Sequence, residues 1–128
     1  MIALLDAHAF LWFIAGNSKL SNTARSVIEE QTQTRLLSVA SLWEIAIKLS
    51  LGRLTLAADF NQIIPLQLNA NGIGLLGIEV AHLDALVTLP FHHRDPFDRL
   101  LIAQAMVGRI PIVSADAAFD AYPVTRLW

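Results

Sequence analysis

Short apolar runs alternate with longer segments of helical character along the whole 128-residue chain. Runs of four or five apolar residues bounded by polar residues, glycine or proline are typical of buried strands. The strands expected on this basis are Ile2–Leu5, Arg35–Val39, Gly74–Ile78, Ile110–Ser114 and Val124–Leu127. Strands separated by helices predict a parallel sheet that helices cover on both faces. The expected fold class is therefore α/β, with a central parallel sheet of about five strands.

The segments between the strands carry helical periodicity and capping residues. Ser41, with Glu44 three residues later, fits the reciprocal side-chain pattern that opens a helix. Pro96 suits a first helical turn, and Gly108 is a stop signal for the same helix. The helices predicted are Ala9–Ala15, Asn22–Gln31, Ser41 to about Gly52, Asp59–Asn71 with an interruption or kink at Pro65, Ala81–Leu86, Pro96 to about Val107, and Ala117–Ala121.

The composition limits the organisation of the chain. Residues 1–128 are expected to form a single domain, because neither a repeat nor a linker interrupts them and the length suffices for a core. Hydrophobic residues make up 55% and charged residues 16%, which favours a homo-oligomer or a complex with another protein. Cysteine is absent, which excludes disulfides, cysteine-ligated zinc and thiol nucleophiles.

The N-terminal segment superficially resembles a signal peptide. It lacks a basic first region, however, and Asp6 and His8 interrupt its apolar run. No apolar stretch reaches the length of a membrane span, so a cytoplasmic protein without a membrane partner is expected. The net charge of −2 does not favour nucleic-acid binding by the protein as a whole. A polyanion would have to be attracted locally, by a bound cation or by a second subunit.

Four acidic motifs punctuate the apolar segments: LLDAH around Asp6, SLWEI around Glu44, RDPFDRLL with Asp95 and Asp98, and VSADAAF around Asp116. Three of these acids come shortly after a predicted strand. In open α/β sheets, ligands bind beyond the carboxyl ends of the strands, at the point where the strand order reverses. The acids are therefore expected to converge on one pocket.

Acidic residues at helix starts have two interpretations. Each one can simply cap its helix, where free N–H groups and the helix dipole favour negative charge. Several carboxylates in one pocket, however, repel one another unless something neutralises them. A cluster of oxygen ligands without cysteine suggests Mg²⁺ or Mn²⁺ and phosphoryl-transfer chemistry. Neither a nucleophile-elbow serine motif nor a phosphate-binding glycine loop occurs in the chain.

The motifs LLDAHAFLW, SVASLWEIAIKLSLGRL, RDPFDRLLIAQA and IVSADAAFDAY resemble, in order and spacing, those of the PIN-domain family. Within it they resemble the toxin components of VapBC-type toxin–antitoxin modules. The resemblance implies an α/β/α sandwich and an endoribonuclease dependent on Mg²⁺ or Mn²⁺. Position by position, Asp6, Glu44, Asp98 and Asp116 match the catalytic acids of the family. Asp6, Asp98 and Asp116 are expected to bind the metal, and Glu44 to bind it directly or through water.

Several residues near the acids keep two interpretations. Asp95 either faces the metal pocket or only caps the helix that Pro96 starts. His93 and Arg94 either contact substrate phosphate or lie in a solvated loop. Arg99 is expected to pair with an acid, to contact RNA or to be bound by an antitoxin, and Asp120 to be an outer-sphere or surface acid.

The expected activity is cleavage of accessible RNA by attack of water, which leaves a 5′-phosphate and a 3′-hydroxyl. The expected partners are RNA, a cognate antitoxin that inhibits the protein, and a second copy of the chain. One alternative is a nuclease that acts in RNA processing and is not a toxin. A nuclease that acts on DNA is another. A receiver-like phospho-accepting signalling domain is another, although only Asp6 follows the first strand and no lysine occurs after Lys48.

Overall fold

The computed structural model describes residues 1–128 and contains one sheet of five parallel strands. The strands are β1 (Ile2–Leu5), β2 (Thr34–Ser38), β3 (Ile73–Leu76), β4 (Ile112–Val113) and β5 (Arg126–Leu127). Their order across the sheet is β3-β2-β1-β4-β5. β1 lies at the centre, with Leu4 opposite Leu36 of β2 on one side and Ile112 of β4 on the other. The prediction of five parallel strands is confirmed.

Six α-helices and one short 3₁₀ helix connect and flank the strands. They are α1 (Ala7–Ala15), α2 (Asn22–Glu29), α3 (Val39–Ser50), α4 (Phe60–Asn71), α5 (Val80–Val87), α6 (Pro96–Gly108) and the 3₁₀ helix Ala117–Ala121. None of these helices combines the length and the apolarity that crossing a bilayer requires.

Two hydrophobic cores lie on opposite faces of the sheet because successive side chains of a strand point to opposite sides. Leu5 of β1 faces α1 to α4, and the largest buried aromatic of that core is Phe10. Leu4 faces the other way, toward α6 and Phe119 of the 3₁₀ helix. Helices therefore cover both faces, and the predicted α/β/α sandwich is confirmed.

The strand order determines which face each helix covers and where a ligand would bind. From β1 the chain steps sideways to β2 and then to β3, with α1 to α4 on one face. The next connection returns past β1 to β4, so right-handed crossovers put α5 and α6 on the opposite face. The direction of the chain thus reverses between β1 and β4, which is where ligands bind in sheets of this kind. A receiver-like domain has the order β2-β1-β3-β4-β5 instead, so that alternative is wrong.

The N-cap of α3 lies three residues earlier than the sequence pattern predicts. Ser38, the last residue of β2, is its N-cap, and the Ser38 hydroxyl accepts the N–H of Ala40 at 3.1 Å. Ser41 lies inside the helix with its buried hydroxyl unpartnered, and Glu44 pairs with Lys48 one turn later. The predicted capping by Ser41 and Glu44 is therefore wrong. Both serines are of a residue type that N-caps favour, and the end of β2 selects the first of them.

The end of α6 also differs from the prediction. Gly108 is its last residue and not its stop, and Arg109 adopts the left-handed conformation at φ 53°. The N–H of Arg109 donates to the carbonyls of Ala105 and Met106, which closes the helix. In α4, Pro65 lies within a helix that runs without interruption from Phe60 to Asn71. The last strands, β4 and β5, pair over only two residues each and are shorter than predicted.

Candidate metal centre

Asp6 follows β1 directly and is the N-cap of α1. Its Oδ1 accepts the N–H of Ala9 at 2.7 Å, and its own N–H donates to the carbonyl of Val113 in β4 at 3.1 Å. The side chain is almost fully buried. Burial raises the pKa of the Asp6 carboxyl, against the lowering effect of the Ser114 side chain and of the Ala9 hydrogen bond.

Asp116 lies on the neighbouring strand connection, just beyond β4. It caps the 3₁₀ helix through Oδ1, which accepts the N–H of Ala118 at 2.9 Å, and its own N–H donates to the Ser114 hydroxyl at 3.0 Å. Its side chain is exposed to solvent. Partial burial raises the pKa of the Asp116 carboxyl, but the hydrogen bonds from Ala118 and His93 outweigh this effect and hold the pKa below its ordinary value.

Asp98 comes from the first turn of α6, on the opposite face of the sheet. Asp95 is the N-cap of this helix, and its Oδ1 accepts the N–H groups of Phe97 and Asp98 at 2.9 and 3.0 Å. Burial raises the pKa of Asp98 to about 7, and the negative charges of Asp95, Glu44 and Asp6 add to that effect. Asp95 therefore caps the helix and also disfavours ionisation of its neighbour.

His93 joins two of these acids. Its Nε2 lies 3.1 Å from Oδ2 of Asp98 and 3.1 Å from Oδ2 of Asp116. On the other side of the ring, Nδ1 accepts the N–H of Asp95 at 3.2 Å. One ligand atom from each of His93, Asp98 and Asp116 lies within 4.8 Å of the others.

A cavity of about 320 Å³ opens between β1 and β4 and brings three of the four expected acids together. It is lined by Asp6, His8, Trp12, Asp98, Ala115 and Asp116. Glu44 does not line this cavity. Its carboxylate is mostly buried and pairs with Lys48 Nζ at 3.0 Å, and its charge helps to raise the pKa of both Asp6 and Asp98. Glu44 therefore belongs to the same electrostatic centre.

Arg99 lies beneath the loop before α6, where its guanidinium is engaged by the backbone. It donates to the carbonyls of Leu89, Pro90 and His93 at 3.1, 2.9 and 3.4 Å, and the Phe91 ring lies 3.8 Å from its central carbon. The residue is buried. This arrangement holds the loop in place and leaves the guanidinium little access to a substrate.

The remaining expected residues lie at the surface. Arg94 is exposed at the rim of the loop. Asp120 forms a two-point ion pair with Arg126, at 3.0 Å for each oxygen. Its carboxylate thus faces an arginine of β5 instead of the three acids of the cavity, as expected for a surface acid.

Tyr122 also shapes the site, and no pattern in the sequence points to it. Its hydroxyl donates to the carbonyl of Pro90 at 2.6 Å and accepts the N–H of His93 at 2.8 Å. The spacing of His93 from Asp95 and Asp98 in the RDPFD motif predicts that they are neighbours. It does not predict that the imidazole points at Asp116, because that contact crosses 23 residues of chain.

The donor set fits a hard divalent cation. Carboxylate oxygens are the ligands that Mg²⁺ and Mn²⁺ prefer, and three carboxylates line this cavity. No lysine or arginine forms an ion pair with Asp6, Asp98 or Asp116. Burial raises the pKa of the Asp6 and Asp98 carboxyls, and a bound cation would favour the ionised form of both.

The fold and the site define an α/β sandwich with an acidic centre where the strand order reverses. A sequence model of the PIN domain family matches residues 3–124, and the chain belongs to that family. The resemblance noted in the four acidic motifs is thereby confirmed. No curated protein sequence matches the chain significantly.

Three solved structures illustrate the likeness of the fold. VapBC2 from Rickettsia felis, bound to a promoter DNA fragment, aligns with a TM-score of 0.71 and 13% identity over 100% of both chains. A toxin–antitoxin complex from Klebsiella pneumoniae aligns at 0.65 with 15% identity, covering 94% of this chain and 92% of the other. FitAcB from Neisseria gonorrhoeae aligns at 0.67 with 14% identity, covering 98% and 96%. At these identities the likeness shows the fold.

Proposed function

We propose that this PIN domain is an endoribonuclease dependent on Mg²⁺ or Mn²⁺, and the toxin of a toxin–antitoxin pair. The observation that carries the proposal is the convergence of Asp6, Asp98 and Asp116 on one cavity between β1 and β4. The three come from separate segments on both faces of the sheet. Helix capping accounts for Asp6 and Asp116 one at a time, but it does not require all three carboxylates to face one another.

Asp6, Asp98 and Asp116 would hold the cation, with Glu44 acting directly or through water. When bound, the cation would neutralise the carboxylates, attract the phosphate, and supply Lewis-acid stabilisation of the charge that develops on it. The N–H groups of Ala9 and Ala118 fix one oxygen of Asp6 and one of Asp116, which orients both side chains toward the cavity. Both hydrogen bonds lie within the protein, so the two side chains are oriented before substrate binds.

The reaction would be hydrolysis of an RNA phosphodiester. A water oxygen forms a bond to phosphorus, a carboxylate of the site accepts the proton of that water, and the bond from phosphorus to the 3′ oxygen breaks. The leaving 3′ oxygen takes up a proton from solvent water, and the carboxylate returns its own proton to solvent. The products are a 5′-phosphate and a 3′-hydroxyl, and accessible single-stranded or loop RNA is the expected substrate. Exposed Arg94 is the proposed contact for a neighbouring phosphate.

RNA cleavage with end-group analysis tests the activity. Wild type with Mn²⁺ or Mg²⁺ is expected to produce 5′-phosphate ends, and Asp6→Asn and Asp98→Asn are each expected to lose activity by at least about 100-fold. Asp84→Asn is the matched control, since Asp84 is an exposed acid on α5, away from the cavity. A product ending in a 2′,3′-cyclic phosphate, or equal activity in EDTA, contradicts the mechanism.

Growth assays test the toxin assignment, which is supported by the resemblance and by the toxin–antitoxin complex from Klebsiella pneumoniae that shares the fold. Induced expression of wild type is expected to arrest growth, with relief in Asp98→Asn and on co-expression of the cognate antitoxin. A homodimer is the proposed assembly, and sedimentation of the purified protein measures it. RNA cleavage without growth arrest would contradict the toxin assignment and would favour a PIN nuclease that acts in RNA processing.

A further inference from the structure

The side chains of Arg99 and Tyr122 form hydrogen bonds with the backbone of the loop between α5 and α6. Arg99 donates to three of its carbonyls, those of Leu89, Pro90 and His93. Tyr122 bonds to the carbonyl of Pro90 and to the N–H of His93. The backbone of His93 is thus fixed on both its N–H and its C=O, which is unusual support for a loop residue. The imidazole of His93 points from the loop toward Asp98 and Asp116.

The hydrogen bonds of the imidazole define where its proton lies. Nδ1 accepts the N–H of Asp95, a backbone group that can only donate. An imidazole whose Nδ1 accepts a hydrogen bond carries its hydrogen on Nε2. The Nε2–H is therefore a donor, and the atoms within its reach are Oδ2 of Asp98 and Oδ2 of Asp116, each at 3.1 Å.

We propose that His93 is a positioning residue of the metal centre, whose Nε2–H bridges Asp98 and Asp116 and holds their carboxylates ready for the cation. This inference rests on the proposed metal-dependent function and deepens it. It differs from the expectation that His93 contacts substrate phosphate, because Nε2 is already committed to two carboxylates. The proposed role also differs from that of a metal ligand. In this tautomer Nε2 carries a hydrogen and has no free lone pair with which to bind a cation.

The bridge matters most for Asp116. Asp6 is almost fully buried, whereas the side chain of Asp116 is 44% exposed and comes from a short 3₁₀ helix. Its Oδ1 is used by the helix cap, so the position of Oδ2 depends on His93. Outer hydrogen bonds of this kind orient metal-binding carboxylates, and their loss typically weakens metal binding by about 10–100-fold.

Mn²⁺ binding by the full-length protein, without RNA, tests the proposal by electron paramagnetic resonance of the free ion. His93→Gln places an amide N–H near the position of Nε2, whereas His93→Asn ends near the position of Nδ1 and cannot reach the acids. His92→Ala is the matched control, since the His92 ring packs on Tyr122 and touches none of the acids. Thermal unfolding of each variant establishes that it is folded before the titration.

We expect His93→Asn to raise the dissociation constant for Mn²⁺ by about 10–100-fold, with His93→Gln recovering most of the loss. His92→Ala is expected to bind as wild type does. Unchanged or tighter binding by His93→Asn overturns the bridge, and so does equal weakening in both His93 variants. If wild type binds no Mn²⁺, the inference and the metal-dependent function fail together. If wild type binds Mn²⁺ through His93 but cleaves no RNA, only the nuclease proposal fails.

Discussion

At the scale of single residues, Asp98 shows how the fold prepares a site for positive charge. Burial raises the pKa of its carboxyl to about 7, and the negative charges of Asp95, Glu44 and Asp6 add to that effect. His93 acts in the opposite direction and lowers it. Lys48 pairs with Glu44, but one imidazole does not compensate the three remaining carboxylates, so a cation that binds here relieves a repulsion that the protein itself maintains.

The raised pKa of Asp98 predicts how stability depends on pH without metal. The folded state binds the Asp98 proton more tightly than the unfolded state, in which the carboxyl has its ordinary pKa of 3.8. The free energy of unfolding should therefore fall as the pH rises from about 4 to about 7. Asp98→Asn should flatten this fall. Urea unfolding in EDTA across that range measures it, and parallel curves for wild type and Asp98→Asn would contradict the prediction.

At the scale of secondary-structure elements, α3 depends on which serine caps it. Ser38 accepts the N–H of Ala40, while the buried hydroxyl of Ser41 has no partner. Ser38→Ala should lower the free energy of unfolding by about 1 kcal/mol. Ser41→Ala should leave it unchanged or raise it, because no hydrogen bond is lost and a buried polar atom is removed. Urea unfolding of both variants measures the difference, and the reverse order would make Ser41 the cap.

The loop before α6 is the second element whose structure predicts a measurable effect. Tyr122→Phe keeps the ring in the core but removes the hydroxyl that bonds to Pro90 and His93. We expect it to lower the free energy of unfolding by about 1–2 kcal/mol. It should also weaken Mn²⁺ binding, because His93 loses one of its two backbone anchors. Calorimetry gives both quantities, and a loss of stability with unchanged Mn²⁺ affinity would show that the loop does not control the metal centre.

At the scale of the whole molecule, the proposed metal centre joins segments that are far apart in the chain. Asp6, Asp98 and Asp116 belong to different connections of the sheet, and Asp98 comes from the helical layer opposite α1. A ligand that binds only the assembled site stabilises the entire fold. At a concentration of about 100 times the dissociation constant, the gain is about 2.7 kcal/mol.

Thermal unfolding as a function of Mn²⁺ concentration tests this coupling. The midpoint of wild type should rise with added Mn²⁺, and Asp84→Asn should follow it. Asp6→Asn should unfold at a midpoint that depends little on Mn²⁺, because one ligand from the centre of the sheet is lost. Removal of the ion with EDTA should return wild type to its starting midpoint. A rise of equal size in Asp6→Asn would show that the ion binds elsewhere.

The sequence by itself determined the alternation of strands and helices, the α/β class and the PIN-domain resemblance. It also placed Asp6 and Asp116 correctly at the ends of buried strands, because apolar periodicity and a following acid are local features that the chain carries in order. The predicted N-cap of α3 was wrong because Ser38 and Ser41 are both residues that N-caps favour. Only the end of β2 distinguishes them, and that end is defined by pairing with β1 and β3.

Tertiary structure alone decided how the site is assembled. The strand order put Asp6 beside the connection that carries Asp116, and the return crossover brought Asp98 to the same cavity from the other face. The bridge from His93 to Asp116 and the bond from Tyr122 to Pro90 join residues 23 and 32 positions apart. Contacts at such separations depend on how packed layers meet in space, and no periodicity or spacing along the chain encodes them.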